Sequence, residues 1–204
     1  MRHAVILSHP DPASFNASAA KTYAAAVRAL GQPVEISDLY AEGFDPRLSA
    51  GELPWNAHYS VPPAIAAERA RVDAADVIVF VYPLWFNAPP AMLKGYAERV
   101  FGMGFGYGPG DLGTRPLLMG KSLVSISTSG APNSWVGQTG ALDRLRLGFD
   151  DHLAAVCGFS VIDHLHIGGV TPGVRADAAQ AMLGQVERMA RRHFTPASIG
   201  GAVD

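Results

Sequence analysis

Short, densely apolar segments alternate along the chain with longer segments in which apolar residues recur every three or four positions. A short apolar segment bounded by turn residues is typical of a buried strand, and the pattern predicts strands over residues 4–7, 33–36, 77–81, 122–127 and 159–162. The wider spacing is that of a helix with one buried face. It predicts helices over residues 14–30, 64–75, 90–101, 141–156 and 174–193.

Strands that alternate with helices predict βαβ units, and therefore a parallel sheet covered by helices on both faces. Five such strands in a chain of 204 residues predict a doubly wound α/β sheet with the strand order 2-1-3-4-5. Neither a repeat nor an internal linker interrupts the pattern. We therefore predict a single domain over residues 1–194 and a C-terminal tail over residues 195–204.

Two stretches show no periodicity. Residues 41–63 carry six Gly and Pro residues and predict a long irregular excursion, which we expect to border a substrate pocket because such excursions are usually functional or mobile. Residues 102–120 are rich in glycine and predict a loop.

Composition and charge narrow the class of protein. Hydrophobic residues make up 49% of the chain, and the formal net charge of −2 gives no electrostatic reason to expect nucleic acid or an anionic membrane as the main partner. No apolar run approaches the ~20 residues of a membrane span. Cys157 is the sole cysteine and suits a reducing cytoplasm, and its apolar neighbours predict a buried, inert thiol. The seven histidines show no spacing typical of metal ligands, so we predict no metal site.

Ligands of open α/β sheets bind at the carboxyl ends of the strands, near the point where the strand order reverses. Three loops are predicted to meet there, and they span residues 9–16, 82–90 and 127–135. The first loop lacks both glycine-rich nucleotide motifs but places Ser14, Phe15 and Asn16 at a helix start, where unsatisfied N–H groups favour a phosphate. His9 could face the same anion. Alternatively, Ser14 only caps the helix and His9 is a surface residue.

The second and third loops suit the rest of a planar ligand. Trp85, Phe86 and Asn87 directly follow a buried strand, where a loop built only for turning would use Gly, Asp and Ser. Aromatic side chains and exposed amides fit a flat heteroaromatic ring, although both aromatics could instead belong to the core. The third loop, residues 127–131, combines hydroxyl side chains with a glycine that lets backbone approach a ligand. Each signal is weak alone, and their convergence predicts a phosphate-bearing planar cofactor.

At these residues the sequence resembles the NAD(P)H:quinone oxidoreductase (DT-diaphorase) family, which includes the modulator-of-drug-activity proteins and ancillary subunits of potassium efflux systems. The stretches that carry the resemblance occur in family order and are HPDPASFN (9–16), SDLY (37–40), FDP (44–46), ADVIVFVYPLWF (75–86), PAMLKGYAERVF (90–101), GFGY (104–107), STSG (127–130) and CGF (157–159). Residues 90–101 form the most specific of them.

The resemblance implies a flavodoxin-like fold and a homodimer with active sites at the subunit interface. It also implies a tightly bound flavin, FAD or alternatively FMN, that relays two electrons as hydride from NAD(P)H to a quinone by a ping-pong scheme. Carried over by position, the cofactor-binding residues are His9, Ser14, Phe15, Asn16, Pro83, Leu84, Trp85, Phe86, Asn87, Thr128, Ser129 and Gly130. Tyr107, from the partner subunit, and Trp135 would line the substrate pocket.

The sequence also departs from the family. Animal members place a Tyr and, six residues later, a His beside the flavin to relay charge, and those positions are Trp135 and Ala141 here. The resemblance therefore implies that charge on the reduced flavin is stabilised in another way. Arg175 matches a family arginine that grips the cofactor only with a register shift of one residue.

Two other functions fit the same loops. The chain could be a flavin-binding regulatory subunit that docks on a potassium efflux transporter, or it could be an electron-carrier flavodoxin. Electron-carrier flavodoxins are strongly acidic, and a net charge of −2 argues against that class.

Overall fold

A computed structural model describes residues 1–111 and 113–196. Its main feature is a parallel sheet of five strands, which are β1 (His3–Leu7), β2 (Val34–Asp38), β3 (Val77–Pro83), β6 (Ser122–Thr128) and β7 (Ser160–Ile167). The spatial order is β2-β1-β3-β6-β7. In order of the sheet strands along the chain this is 2-1-3-4-5, so the predicted α/β fold with a flavodoxin-like topology is confirmed.

Helices cover both faces of the sheet and create two hydrophobic cores. One core lies beneath α1 (Phe15–Ala29) and α7 (Ala176–Phe194). The other lies beneath α2 (Pro63–Ala74), α3 (Ala91–Val100), α5 (Ala141–Leu145) and α6 (His152–Cys157). Strand β3 shows why the central strands are apolar throughout, because Val77, Val79 and Val81 face the first core while Ile78 and Phe80 face the second.

The predicted loop over residues 102–120 is in part a hairpin. Strands β4 (Tyr107–Gly110) and β5 (Gly113–Pro116) pair antiparallel, apart from the main sheet. Glycine and proline lack the side chains that mark a strand in sequence, so only the backbone pairing reveals this hairpin. The prediction of an unstructured loop was wrong here.

The predicted helix over residues 141–156 is confirmed as one uninterrupted helical run that contains a π-helical segment. It consists of α5, a π-helical turn (Arg146–Asp151) and α6, and a short helix α4 (Asn133–Gln138) precedes it. Gly140 takes a left-handed backbone conformation (φ +64°) and separates α4 from α5. The apolar spacing of the sequence continues through residues 146–151, which explains why it did not indicate the π-helical segment.

The excursion over residues 41–63 contains one short 3₁₀ turn (Ala50–Glu52) and is held against α3. Arg99 Nε donates to Glu52 Oε1 at 2.8 Å, with both side chains largely buried. A Cβ atom on Gly95 would lie 2.1 Å from the Pro46 carbonyl oxygen, so only glycine permits this contact. Gly95 belongs to residues 90–101, the most specific stretch of the family resemblance, and its close contact with Pro46 explains why a glycine stands at this position.

The last described helix ends at Phe194, and residues 197–204 of the predicted tail lie outside the described residues. Among the described helices, none combines the length and the apolar character that crossing a bilayer requires. Cys157 is fully buried, and burial raises the pKa of its thiol to about 12, as its predicted inertness requires.

Candidate active site

A cleft of about 470 Å³ opens where the carboxyl ends of β3 and β6 meet the short helices α4 and α5. Its lining comes from the second and third predicted loops and from these helices. The lining residues are Leu84, Phe86, Asn87, Ser129, Gly130, Ala131, Trp135, Val136, Thr139, Ala141 and Arg144. The structure therefore brings two of the three predicted loops to one cleft, and the first loop lies beside them.

The first loop begins α1 and supplies unsatisfied amides. Ser14 is the N-cap, and its Oγ accepts a hydrogen bond from the Ala17 amide at 3.1 Å. Within residues 1–111 and 113–196, no group accepts from the backbone N–H of Phe15 or Asn16. Two free amides at the positive end of a 15-residue helix are suited to an anion.

His9 connects the first loop with the second. Its ring lies 5.9 Å from the Trp85 ring, and its Nδ1 accepts from the Asp11 amide at 3.0 Å. That hydrogen bond selects the neutral tautomer with hydrogen on Nε2. His9 is therefore partly held by the protein and presents its other nitrogen as a donor.

Asn16 and Thr128 tie the first loop to the third. The Asn16 side-chain amide contacts the Thr128 hydroxyl through Nδ2 at 3.0 Å and through Oδ1 at 3.2 Å, and both residues are buried. Their polar atoms satisfy one another, so their observed contacts position the two loops. The direct contact with a cofactor that the resemblance implies for them stays a prediction.

The second loop is a tight turn with unusual residues. Trp85 and Ala88 exchange backbone hydrogen bonds at 3.1 and 3.0 Å, which leaves Phe86 and Asn87 as the two central residues. Both have positive φ, +50° and +58°, as in a type I′ turn, where Asn-Gly is the usual sequence. A phenylalanine in this conformation is strained, and strain of this kind concentrates at functional sites.

Phe86 has no packing role that would explain the strain. Its side chain is fully exposed (104%), and Trp85 (43%) and Trp135 (53%) are exposed beside it. Pro83 ends β3 in the core, and Leu84 donates its amide to the Thr128 carbonyl oxygen at 2.6 Å. The protein thus fixes the base of this loop and leaves aromatic faces uncovered, contrary to the alternative that both aromatics belong to the core.

The third loop approaches β7 closely. Ser129 donates to the Ala131 carbonyl oxygen at 2.9 Å and bonds His166 Nε2 at 3.0 Å. Gly130 borders the cleft, and an added Cβ there would meet its nearest protein atoms at an ordinary 3.8 Å. The packing of the protein itself does not demand a glycine at position 130, whereas a close ligand would.

Other predicted residues divide between the cleft and the rest of the surface. Trp135 and Ala141, the positions at which the resemblance implies a Tyr and a His, both line the cleft. Tyr107 of this chain lies instead at a second cavity of about 690 Å³, so it can border the cleft only from another subunit. Arg175 lies at the exposed start of α7, paired with Asp177 at 3.0 Å and away from the cleft lining.

Sequence reasoning missed two groups of residues at the site. Arg144 brings a guanidinium to the cleft from α5, and nothing in the sequence distinguishes it from other surface arginines. His164 and His166 on β7 lie behind Ser129 and Ser127. The sequence does show polar residues at alternate positions of the two strands. This pattern indicates a shared site only once β6 and β7 are known to pair.

Comparison with known proteins agrees with this geometry. Residues 1–191 match the model of a family described as having a flavodoxin-like fold. The chain belongs to this flavodoxin-like family. It is 29% identical to NAD(P)H dehydrogenase (quinone) 1 of Rattus norvegicus over 224 aligned residues, which cover 97% of this chain and 82% of that protein.

Solved structures show the same flavodoxin-like fold. The NAD(P)H:quinone oxidoreductase from Methanothermobacter marburgensis superposes with a TM-score of 0.84 over 95% of this chain and 96% of that one, at 24% identity. An FMN-dependent NADH-azoreductase from Bacillus anthracis, solved in complex with FMN, gives a TM-score of 0.70 over 95% and 99% of the two chains, at 16% identity.

The cleft has the donor set that a flavin needs. Exposed aromatic rings can stack on a flat ring system, uncommitted amides at α1 can hold phosphate, and Arg144 can neutralise negative charge. The strained Phe86–Asn87 turn and the open position at Gly130 are features that a bound planar ring would explain.

Proposed function

We propose that this protein is a flavin-dependent NAD(P)H oxidoreductase that reduces quinones, or similar acceptors, in two-electron steps. The observation that carries this proposal is the cleft itself, where uncovered aromatic residues, among them the strained Phe86, lie next to the unsatisfied amides of a helix N-terminus. Similarity to the quinone dehydrogenase of Rattus norvegicus over nearly the whole chain supports the substrate class.

The residues of the chain supply binding, orientation and exclusion of water. The amides of Phe15 and Asn16, with Ser14 and His9, would hold the phosphate portion of the flavin. The flavin ring would be lined by residues of the second and third loops, which are Pro83, Leu84, Trp85, Phe86, Asn87, Thr128, Ser129 and Gly130. A bound flavin would supply the hydride chemistry, which NAD(P)H and the acceptor would share by occupying one pocket in turn.

A homodimer would complete the substrate pocket. Tyr107 lies at the second cavity, which is largely apolar and includes Trp55 with 75% of its side chain exposed. An apolar surface with a large exposed aromatic residue is typical of a protein–protein interface. A second copy of the chain seated there would bring its own Tyr107 towards the cleft. Sedimentation velocity is expected to show a dimer at micromolar concentration.

FAD is the proposed cofactor, with FMN as the alternative. The first loop resembles that of FAD-binding quinone reductases, whereas the azoreductase of similar fold carries FMN. Heat release followed by mass measurement identifies the molecule. We also propose a cytoplasmic location, on the evidence of a single buried thiol.

The function is tested with the purified protein. We expect flavin absorbance bands, or binding of added FAD or FMN with a dissociation constant near micromolar or below, and parallel lines in double-reciprocal plots of NAD(P)H and quinone turnover. Binding no tighter than about millimolar would refute the proposal. Trp135→Ala is expected to raise KM for quinone and to retain full flavin content. Met119→Ala removes a similarly exposed apolar residue (76%) outside both cavities and is the matched control.

A further inference from the structure

A row of buried polar side chains runs from the interior of the sheet to the cleft. Ser125, Ser127 and Ser129 recur at every second position along β6 and just beyond its end, so they face one side of the sheet. His164 and His166 have the same spacing on β7. The strands pair in parallel with Ser125 opposite His164 and with Ser127 opposite His166, so the serines and histidines interleave on one face.

The interleaved side chains form a continuous set of hydrogen bonds. Ser129 Oγ lies 3.0 Å from His166 Nε2, and Ser127 Oγ lies 2.8 Å from His166 Nδ1. Ser127 Oγ also lies 2.7 Å from His164 Nε2. His164 Nδ1 then bonds the carboxylate of Asp150, which the π-helical turn places here and which Ser125 also contacts at 2.8 Å.

One direction of these hydrogen bonds stores a proton at the buried end of the row. In this direction the Ser129 hydroxyl donates to the Ala131 carbonyl oxygen, which also accepts from the Gly169 amide at 2.9 Å, and it accepts from His166 Nε2. His166 Nδ1 is then an acceptor, and it receives the hydrogen of the Ser127 hydroxyl. Ser127 in turn accepts from His164 Nε2.

In this direction the buried end of the row holds an additional proton. His164 Nε2 carries one hydrogen, and the contact between His164 Nδ1 and Asp150 requires a second, because two lone pairs do not bond each other. The pair thus holds one proton more than a neutral imidazole beside a carboxylate. Asp150 is 1% exposed and His164 is 5% exposed, so this proton has no direct route to solvent.

We propose that Asp150, His164, Ser127, His166 and Ser129 form a proton relay that delivers one proton to the cleft during reduction of the acceptor. This inference rests on the proposed function. Ser129 borders the cleft and releases the proton, while the other four residues act through it. Ser129 lines the same cleft as Trp135 and Ala141, which are not titratable, so the relay would supply the titratable groups that those two positions lack.

The proton balance of the reaction requires such a source. Conversion of a quinone to a quinol takes up two electrons and two protons, and NAD(P)H supplies both electrons and one proton as hydride. The relay supplies the second proton: the Ser129 hydroxyl turns its hydrogen from the Ala131 carbonyl oxygen, which keeps its bond from the Gly169 amide, to the acceptor in the cleft, and His166 Nε2, Ser127 and His164 Nε2 each pass one hydrogen along. The result is a neutral His164 beside the Asp150 carboxylate, and the pair regains its proton through the cleft from water.

The surroundings keep the middle of the relay neutral. Burial, followed by the charge of His164, lowers the pKa of His166 to about 4, so this ring can accept at one nitrogen and donate at the other near neutral pH. Tyr82 on β3 faces His164 with a ring separation of 6.4 Å. Burial, then the charge of Asp150, raises the pKa of Tyr82 well above its usual value, so its hydroxyl does not compete for the proton.

The first test uses flavin-free protein. Nitrogen-15 NMR of the histidine rings is expected to show His164 with hydrogen on both nitrogens, or sharing one with Asp150, and neutral His166 with hydrogen on Nε2 only. Slow exchange of the His164 Nε2 hydrogen with solvent is also expected. A His164 ring without hydrogen on Nε2, or one exchanging as fast as an exposed imidazole, would overturn the relay.

The second test interrupts the path in the holoenzyme. Ser127→Ala is expected to slow oxidation of the reduced protein by a quinone about 100-fold, the size of a lost proton transfer, while reduction by NAD(P)H changes less than about 3-fold. The wild-type proton inventory in mixed H₂O and D₂O is expected to be curved, since several protons move together, and that of the variant to be linear.

Matched variants separate the relay from a structural role. Ser125→Ala removes a hydroxyl from the same strand face and also loses a hydrogen bond to Asp150, yet it leaves the path intact and is expected to keep the curved inventory. Ser127→Thr retains the hydroxyl and is expected to keep it as well. Equal behaviour of Ser127→Ala and Ser125→Ala would overturn the proposal. Absence of flavin binding would refute the proposed function instead, and the NMR result decides the protonation pattern in either case.

Discussion

The strained turn at Phe86 predicts opposite effects of one substitution on stability and on flavin binding. A left-handed backbone costs an L-residue about 1–2 kcal/mol, and glycine adopts it without penalty but loses about 0.5–1 kcal/mol more chain entropy on folding. The Phe86 side chain is fully exposed, so its removal sacrifices no packing. Phe86→Gly is therefore expected to stabilise flavin-free protein by about 0.5–1 kcal/mol, or to raise its Tm by about 1–4 °C.

The same substitution removes the ring that we expect to stack against the flavin. Covering a phenylalanine side chain contributes about 1.5–3 kcal/mol, which corresponds to a dissociation constant about 10- to 100-fold weaker. Phe86→Ala is the matched control, because it also removes the ring but keeps a Cβ atom and hence the strain. Urea unfolding of the flavin-free proteins and flavin titration by fluorescence measure the two quantities separately.

The two variants are expected to rank in a definite order of stability. Both variants should bind flavin weakly, and the glycine variant should be more stable than the alanine variant. A glycine variant less stable than the alanine variant would show that the turn is not strained. Wild-type affinity in either variant would show that the Phe86 ring does not contact the flavin.

Three further substitutions test the packing and the electrostatics around the site. Gly95→Ala is expected to lower the free energy of unfolding by about 1–3 kcal/mol, because its Cβ would lie 2.1 Å from a backbone oxygen, whereas Gly184→Ala, which meets only the end of a flexible arginine, should be neutral or stabilising in the same urea titration. Thr128→Val leaves the buried Asn16 amide without its partner and is expected to cost about 1–3 kcal/mol by the same measurement. The pKa of native His166, about 4, lies below its value in the unfolded chain. Its contribution to the free energy of unfolding is therefore fully present above about pH 6.5 and declines towards pH 4, because the unfolded chain takes up a proton there and the native protein does not. His166→Gln should flatten this decline when the free energy of unfolding is measured at several pH values.

The sequence pattern was sufficient for the frame of the site. Apolar runs and helical spacing predicted the sheet order, and Ser14 was correctly expected to begin α1. Because strand order determines which loops meet, the proximity of the second and third loops followed from these elements alone. Predictions of this kind succeed because each depends on a local pattern repeated over several residues.

Features that depend on pairing between distant segments were not predictable in this way. The β4–β5 hairpin consists mainly of residues that rarely form strands, and its existence depends on backbone pairing. The sequence of the π-helical turn keeps the apolar spacing of an ordinary helix. It therefore did not indicate that Asp150 in this turn contacts Ser125 of β6. Serines and histidines at alternate positions are common near strand ends. Only the pairing register of β6 and β7 shows that these serines and histidines lie next to one another.

The resemblance implies that Trp135 and Ala141 stand where related enzymes have a titratable pair, and the proposed relay of buried polar side chains would serve in place of that pair. A charge relay beside a flavin must reach the cleft, and the positions 135 and 141 at its rim hold an indole and a methyl group, neither of which gains or loses a proton near neutral pH. The sheet can supply the titratable groups that positions 135 and 141 lack only if a strand next to β6 places such side chains on the face that ends at the cleft. Strand β7 does so with His164 and His166, and Ser129 is the connection between that face and the cleft. Adding Trp135→Tyr and Ala141→His to the Ser127→Ala protein should therefore restore part of the lost rate of quinone reduction. Failure to restore any of it would show that the two arrangements do not serve the same step.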